Sequence, residues 1–380
     1  MKKMKRYLIL MTATTLMAAC SNDANEVESG YMQSKDAIAF DASTDNGQTR
    51  ASGKIDDAAL QTKGFGVFGF YTGRLTYENT TVSPDFMYNQ QVIFNNTRNA
   101  WEYSPVKYWP NDSRDYVSFF AYAPYEATPQ DDGRCIIDMS KRYDLGDPWL
   151  NYRIADNPWS TTNPQVDLLY GQHESNNNPQ YTSWLDQQKP ENPVDSKLKL
   201  TFCHALSCIG DEITIKCSQD LASLIAGYAE FKISQITINY KNLTTKGRLV
   251  LHCIGSANWK EIISGELTTT RTYNKNVDIT LTSSNFTTEQ TISEGDGLFY
   301  IPLRVAGTVA PMAEVTISYT VTNNENKSYS GTATTSFELD MNMEGKKQGI
   351  ALQLTKNLDL QHLVYTIGTD ATEPSYVRQL

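Results

Sequence analysis

Short apolar runs of period two, each closed by polar turn formers, recur along almost the whole chain. They include "QVIFN", "DYVSFFAYA", "RCIIDM" and "VDLLY". A second series follows, with "LKLTF", "DEITIKC", "FKISQITINY", "RLVLHCI", "VDITLT", "GLFYIPL", "EVTISYTV", "TSFELD" and "GIALQLT". Alternation of this kind puts one side chain in two on a buried face. Many such strands at short spacing argue an all-β chain built as β-sandwiches. The 380 residues leave room for two such units, and the proline-bearing stretch Lys189 to Lys197 is the expected boundary between them. Helical signal is scarce: "SQDLASLIAGYAEF", with Ser218 as cap, and "TSWLDQQ" are the candidates.

One stretch competes with this reading. In "GFGVFGFY", Gly64, Gly66 and Gly69 satisfy the G-x-G-x-x-G pattern of dinucleotide-binding loops. Such a loop must follow a strand and open a helix. The preceding "DDAALQTK" is polar and not a strand, and the following "FYTGRLTYENTT" is β-branched, aromatic and broken by Gly73. Asp85, near the spacing of a ribose-binding acid, follows Pro84 in a polar stretch. The alternation fits better: Phe65 and Val67 point to one face, Phe68 and Phe70 fall to the other side, and both faces are apolar. No cofactor is expected. The net charge of −10 also disfavours nucleic acid, whose phosphates need a basic surface.

The N-terminus carries an export signal. Lys2, Lys3, Lys5 and Arg6 precede an apolar run from Tyr7 to Met17, too short to span a bilayer stably. Ala18 and Ala19 then lead to Cys20, and the block resembles the lipobox of bacterial lipoproteins, with Met17 where leucine is usual. That resemblance implies removal of residues 1–19, acylation of Cys20 and a lipid-anchored protein at the outer membrane. The alternative is a plain signal peptide with an incidental cysteine. Five cysteines remain: Cys135, Cys203, Cys208, Cys217 and Cys253, without a C-x-x-C pair. In "LTFCHALSCI", Cys203 and His204 sit on strand-like alternation, so buried thiols or a single disulfide are expected rather than a metal site.

"FGVFGFY", "WEYSPVKYWP", "DYVSFFAYAPY", "VDLLYG" and "LTFCHALSCI", in this order, resemble the fimbrillin-like proteins of Bacteroidales, subunits of type V pili. The resemblance implies two tandem transthyretin-like antiparallel β-sandwich domains, here residues 51–192 and 193–380, behind a leader of residues 20–50. It also implies cleavage by an arginine-specific surface protease, which Arg50 followed by Ala51 fits. In "AIAFDASTDNGQTRAS", Ile38 and Phe40 alternate as on a strand, and the flanks of Arg50 are small and polar. Cutting there would release that strand and leave an apolar groove with unpaired backbone groups. A strand of another fimbrial subunit could refill it, head to tail, building a fibre. The donor is expected near the C-terminus: "GIALQLT", with Ile350, Leu352 and Leu354, or "HLVYTIG", with Leu363, Tyr365 and Ile367.

No catalytic constellation competes. G-x-S-x-G and H-E-x-x-H are absent, and His173, His204, His252 and His362 are scattered. The expected role is a fimbrial subunit with cell adhesion as its output, not an enzyme. It would sit at the outer membrane through Cys20 before cleavage and in the fimbrium afterwards, with a host or bacterial surface receptor as a further partner. The competing expectation is a non-fimbrial, glycan-binding surface lipoprotein. It rests on the rings of Trp101, Tyr103, Tyr108 and Trp109, with Tyr122 and Tyr125 close behind; core packing is their simpler use.

Overall fold

A computed structural model describes residues 36–44, 55–133, 135–162, 164–171, 184–191, 197–225, 227–228, 230–253, 256–282, 284–342 and 345–363. The chain is all-β with two short α-helices among those residues. The first strands are β1 (Phe40–Thr44), β2 (Phe65–Gly73), β3 (Met87–Asn95), β4 (Ala100–Glu102), β5 (Tyr116–Ala123), β6 (Ile136–Met139), β7 (Trp149–Arg153), β8 (Leu169–Gly171) and β9 (Leu198–His204). Then come β10 (Ser207–Cys217), β11 (Glu230–Thr244), β12 (Lys246–Val250), β13 (Asn258–Glu261), β14 (Thr268–Leu281), β15 (Gln290–Glu294) and β16 (Leu298–Tyr300). The last are β17 (Met312–Thr322), β18 (Ser328–Glu338), β19 (Lys347–Leu354) and β20 (Leu360–Leu363).

The first sheet runs β1-β9-β8-β5-β2-β3-β4. Its central strands are buried on both faces, as the apolar character of "GFGVFGFY" predicts. Phe65 and Val67 of β2 enter one core together with Val117 and Phe119 of β5. Phe68 and Phe70 enter a second core with Phe120 and Tyr122. A bulge between Val67 and Gly69 shifts the register against β3.

The glycines of that stretch have local reasons. Helix α1 (Asp57–Lys63) precedes it, where the sequence shows only a polar run. Asp56 caps the helix by accepting the Ala59 N–H at 2.8 Å, and Leu60 is its buried residue. Gly64 ends it at φ 67°, donating its N–H to Leu60 O at 2.8 Å. A helix thus comes before these glycines and a strand after them, the reverse of the dinucleotide order. Gly66 lies under the Tyr122 ring, where a Cβ would overlap it.

Helix α2 (Gln219–Ile225) follows the expected cap: Ser218 Oγ accepts the Leu221 N–H at 3.4 Å. The described part of "TSWLDQQ" is not helical. Gln187 instead exchanges two backbone hydrogen bonds with Val117, each 2.9 Å, and Trp184 O accepts the Phe119 N–H. Phe119 and Trp184 share one core, and tertiary packing here overrides a weak local preference.

Three further sheets build the rest. One has the order β15-β10-β19-β20 with β16 also on β10, one has β14-β11-β17-β18, and one has β13-β12-β7-β6. The second core continues from Phe68 and Phe70 through Ile213, Ile236 and Ile317 to Leu352 and Leu360. The division expected between residues 192 and 193 is therefore crossed twice. Strand β9 lies inside the first sheet, between β1 and β8. Strand β7 pairs with β12 across five residue pairs, Trp149–Arg153 against Lys246–Val250. Proline and polar residues mark a connection as well within a sandwich as between two.

Candidate functional site

The site is the seat of strand β1. Ile38 and Phe40, placed on one face by the sequence, are buried to 0% and 1% exposure, and Ala42 packs beside them half-buried. Asp41 and Ser43 alternate with them and are exposed at the sheet rim. Phe40 sits in an aromatic cage, with ring centroids of Phe65, Tyr103 and Phe119 at 6.2, 5.5 and 5.8 Å. Edge-on contacts of this kind add to the area buried. Each of the two large side chains contributes about 1.5–3 kcal/mol of burial.

The backbone of this segment is held on both sides. From Phe40 to Thr44 it pairs in parallel with β9, Phe40 opposite Leu198 and Thr44 opposite Phe202. Leu198 N–H donates to Ala39 O at 2.9 Å. On the other side Ile38 N–H donates to Lys107 O and Trp109 N–H to Asp36 O, each at 2.9 Å. Tyr103 Oη donates to Ile38 O at 2.8 Å. An ion pair between Lys189 and Asp36, 2.8 Å, ties the start of the segment down. Parallel pairing with a strand so distant in sequence was not legible, because alternation assigns faces and not neighbours.

Two carboxylates hold the flanks of the segment 45–54, which lies outside the described residues. On its upstream side, Asp57 Oδ1 accepts the Thr44 N–H at 2.6 Å and the Thr44 hydroxyl at 2.8 Å. On its downstream side, the buried Asp167 accepts the Ile55 N–H at 3.3 Å. The same Asp167 Oδ2 lies 2.7 Å from His204 Nδ1, so His204 is a core residue that anchors structure, as its strand context implied. Neither Asp57 nor Asp167 stands out in the sequence as a site residue. A signal for Asp57 is nonetheless present, since "DDAAL" carries a cap and an acidic first turn.

Of the other candidate residues, Cys20, Arg50, Ala51, Tyr365 and Ile367 lie outside the described residues. Leu363 closes β20, which pairs antiparallel with β19 at the edge of its sheet, Leu363 opposite Ala351. Ile350, Leu352 and Leu354 lie on β19, between β10 and β20, and are buried. That central place commits β19 to the chain's own sheet.

The aromatic cluster is core. Trp101, Tyr103 and Trp109 are 4–5% exposed and Tyr122 is fully buried; Tyr108 alone of the leading four is open to solvent. Cys135, Cys203, Cys208, Cys217 and Cys253 are all buried thiols outside any disulfide. Burial pushes the Cys208 thiol well up and Cys217 up to about 12, which keeps both protonated and unreactive. Among the described residues no three His, Cys, Asp or Glu side chains converge as a metal site. A cleft of about 480 Å³ is lined by Lys63, Tyr125, Glu126, Asp132 and Cys135, among others.

The comparisons with known proteins agree with this architecture. The model of the fimbrillin-like family matches residues 49–368. The fimbrium subunit Fim1C of Phocaeicola vulgatus is 28% identical over 209 residues, 54% of this chain and 50% of that protein. The chain spans about half the length of this curated relative. The crystal structure of a fimbrial protein from Bacteroides vulgatus superposes with a TM-score of 0.63 at 19% identity, covering 86% of this chain and 98% of that one. That likeness is one of fold.

Proposed function

The chain belongs to the fimbrillin-like family, and from that premise we propose that it is a structural or tip subunit of a fimbria, not an enzyme, assembled by exchange of strand β1. The precursor is exported, acylated at Cys20 and held at the outer membrane. A protease then cuts between Arg50 and Ala51. The leader that leaves carries Ile38 and Phe40, and a strand from another subunit takes their seat. Tyr365 and Ile367, which continue the alternation of Leu363 beyond the edge strand β20, supply the donor. The polymer lies at the cell surface and its biological output is adhesion.

The single observation that carries this reading is the place of β1. It is an edge strand whose residues Phe40–Thr44 pair with β9 alone, the segment just before it bonds to Lys107 and Trp109, and it plugs the core on that side of the first sheet with Ile38 and Phe40. It also lies wholly upstream of Arg50. An element so placed can be lost without breaking any other strand order, and its loss leaves an apolar seat and a free sheet edge of the kind that captures another chain. The competing glycan-binding reading has less to stand on, because Trp101 and Trp109 are spent in the core and Tyr108 alone of the leading four rings faces solvent.

The test is cleavage of the purified, leader-containing chain with an arginine-specific protease. Ladders that resist SDS are expected, and an Arg50→Ala variant should give none. Clean loss of the leader with the chain remaining monomeric would overturn donation by this chain and assign it to the tip. An uncut Arg50–Ala51 bond in a folded chain would overturn the whole route.

A further inference from the structure

Among the contacts that hold the β1 segment to the body of the protein, the one made by Asp57 bridges the two flanks of the proposed cut. Thr44 is the last described residue before segment 45–54, and Asp57 lies in the first turn of α1 just beyond it. One oxygen, Asp57 Oδ1, accepts both the N–H and the hydroxyl of Thr44, at 2.6 and 2.8 Å. Thr44 is 7% exposed and ends the parallel ladder opposite Phe202. The neighbouring Asp56 does different work: it caps α1 through Ala59. The downstream flank is fixed separately, through Ile55 and the buried Asp167.

We propose that Asp57 is a latch that keeps strand β1 in its seat after the chain has been cut between Thr44 and Ile55. The inference rests on the proposed release of the leader, which it deepens. While the chain is intact, covalent linkage holds Thr44 near Asp57 and the two hydrogen bonds matter little. Once the chain is cut, Thr44 and Asp57 belong to different polypeptides, and hydrogen bonds to a charged acceptor then oppose departure directly. A cut subunit therefore does not present an empty groove. It presents an occupied one, and an incoming strand must displace a latched strand. The occupant of that seat is this chain's own residues 36–44, until a second copy replaces them.

The test separates the latch from assembly. A site for a highly specific protease is placed in segment 45–54 of the full chain, which is cut with it at a dilution where polymers do not form. The time course of leader loss is followed by gel filtration and mass spectrometry. The unsubstituted chain should keep its leader through gel filtration. Asp57→Ala should lose it about tenfold faster or more, in line with two bonds to a charged group. Thr44→Val, which keeps the N–H and lacks the hydroxyl, should fall between. Asp56→Ala, which uncaps α1 and leaves Thr44 held, should lose the leader within about twofold of the unsubstituted rate. Thermal melts of the uncut variants show that each is folded. Leader retention by cut Asp57→Ala at the unsubstituted rate overturns the latch, as does equally fast loss from Asp56→Ala. Immediate loss from the unsubstituted chain overturns it too. Absence of polymers at higher concentration would instead count against the assembly reading and leave these rates as they are.

Discussion

At the scale of single residues, the seat of β1 depends on ring packing. Phe40→Ala removes a ring that three others enclose. In the uncut chain it should cost about 3–5 kcal/mol in chemical denaturation. Gly66→Ala is the reciprocal case. The added methyl meets the Tyr122 ring and Asn89 Oδ1, and overpacking of about 1–3 kcal/mol is expected in the same assay. His252 gives a pH signature. Its Nδ1 lies 3.2 Å from Asp147 Oδ1 and its ring packs on Tyr77 and Phe120. The hydrogen bond to Asp147 raises its pKa above the usual 6.5, against the opposing effect of burial. A base with a raised folded pKa gives its full stabilisation below the unfolded value and loses it as pH rises through the folded one. Stability should therefore fall as pH rises above about 6.5, and His252→Gln should flatten that fall. Residues such as Phe65, Phe68, Ile38 and Phe40 were legible as buried because alternation reports the face directly. Asp57 and Asp167 were not, since a carboxylate that binds a distant N–H has no periodic signature.

At the scale of elements, β20 is an edge strand of its sheet. It has one backbone neighbour among the described strands, β19, and it carries His362, whose ring stacks on Phe337 at 3.5 Å between centroids. Burial lowers the His362 pKa to about 4 from the usual 6.5. A base with a depressed folded pKa docks at full strength above the free value, and docking weakens as pH falls from about 6.5 toward about 4. Hydrogen exchange across residues 360–363, corrected for intrinsic rates, should lose protection from about pH 7 to about pH 5. His362→Phe should remove that dependence, and equal protection at both pH values in the parent chain would contradict it. Most strands were legible at this scale, from "QVIFN" in β3 to "GIALQLT" in β19. Strands β4 and β13 were not, since "AWE" and "NWKE" each hold a single large apolar ring beside polar residues and show no period. Helix α1 was hidden because a seven-residue helix with one buried side chain has almost no apolar stripe.

At the scale of the whole molecule, one core draws on both halves of the chain. The cluster that begins at Phe68 and Phe70 runs on to Ile236 and Leu352, and β7 pairs with β12. Calorimetry should accordingly show one cooperative transition, and a fragment of residues 193–380 should not fold alone, for it lacks β7, one of the two strands that β12 pairs with. Two resolved transitions, or a folded fragment, would contradict that. The all-β, sandwich-like class could be read from the sequence; the joining of the sheets could not, because pairings such as β1 with β9 and β7 with β12 are non-local. The proposed function turns on β1 being a leader strand, removed so that another chain can take its seat. The N-terminus of subunits recovered from SDS-resistant polymers, sheared off cells that express the full chain, decides the matter. A mature chain beginning at Ala51 is expected, and polymers whose subunits all retain residues 20–50 would contradict it.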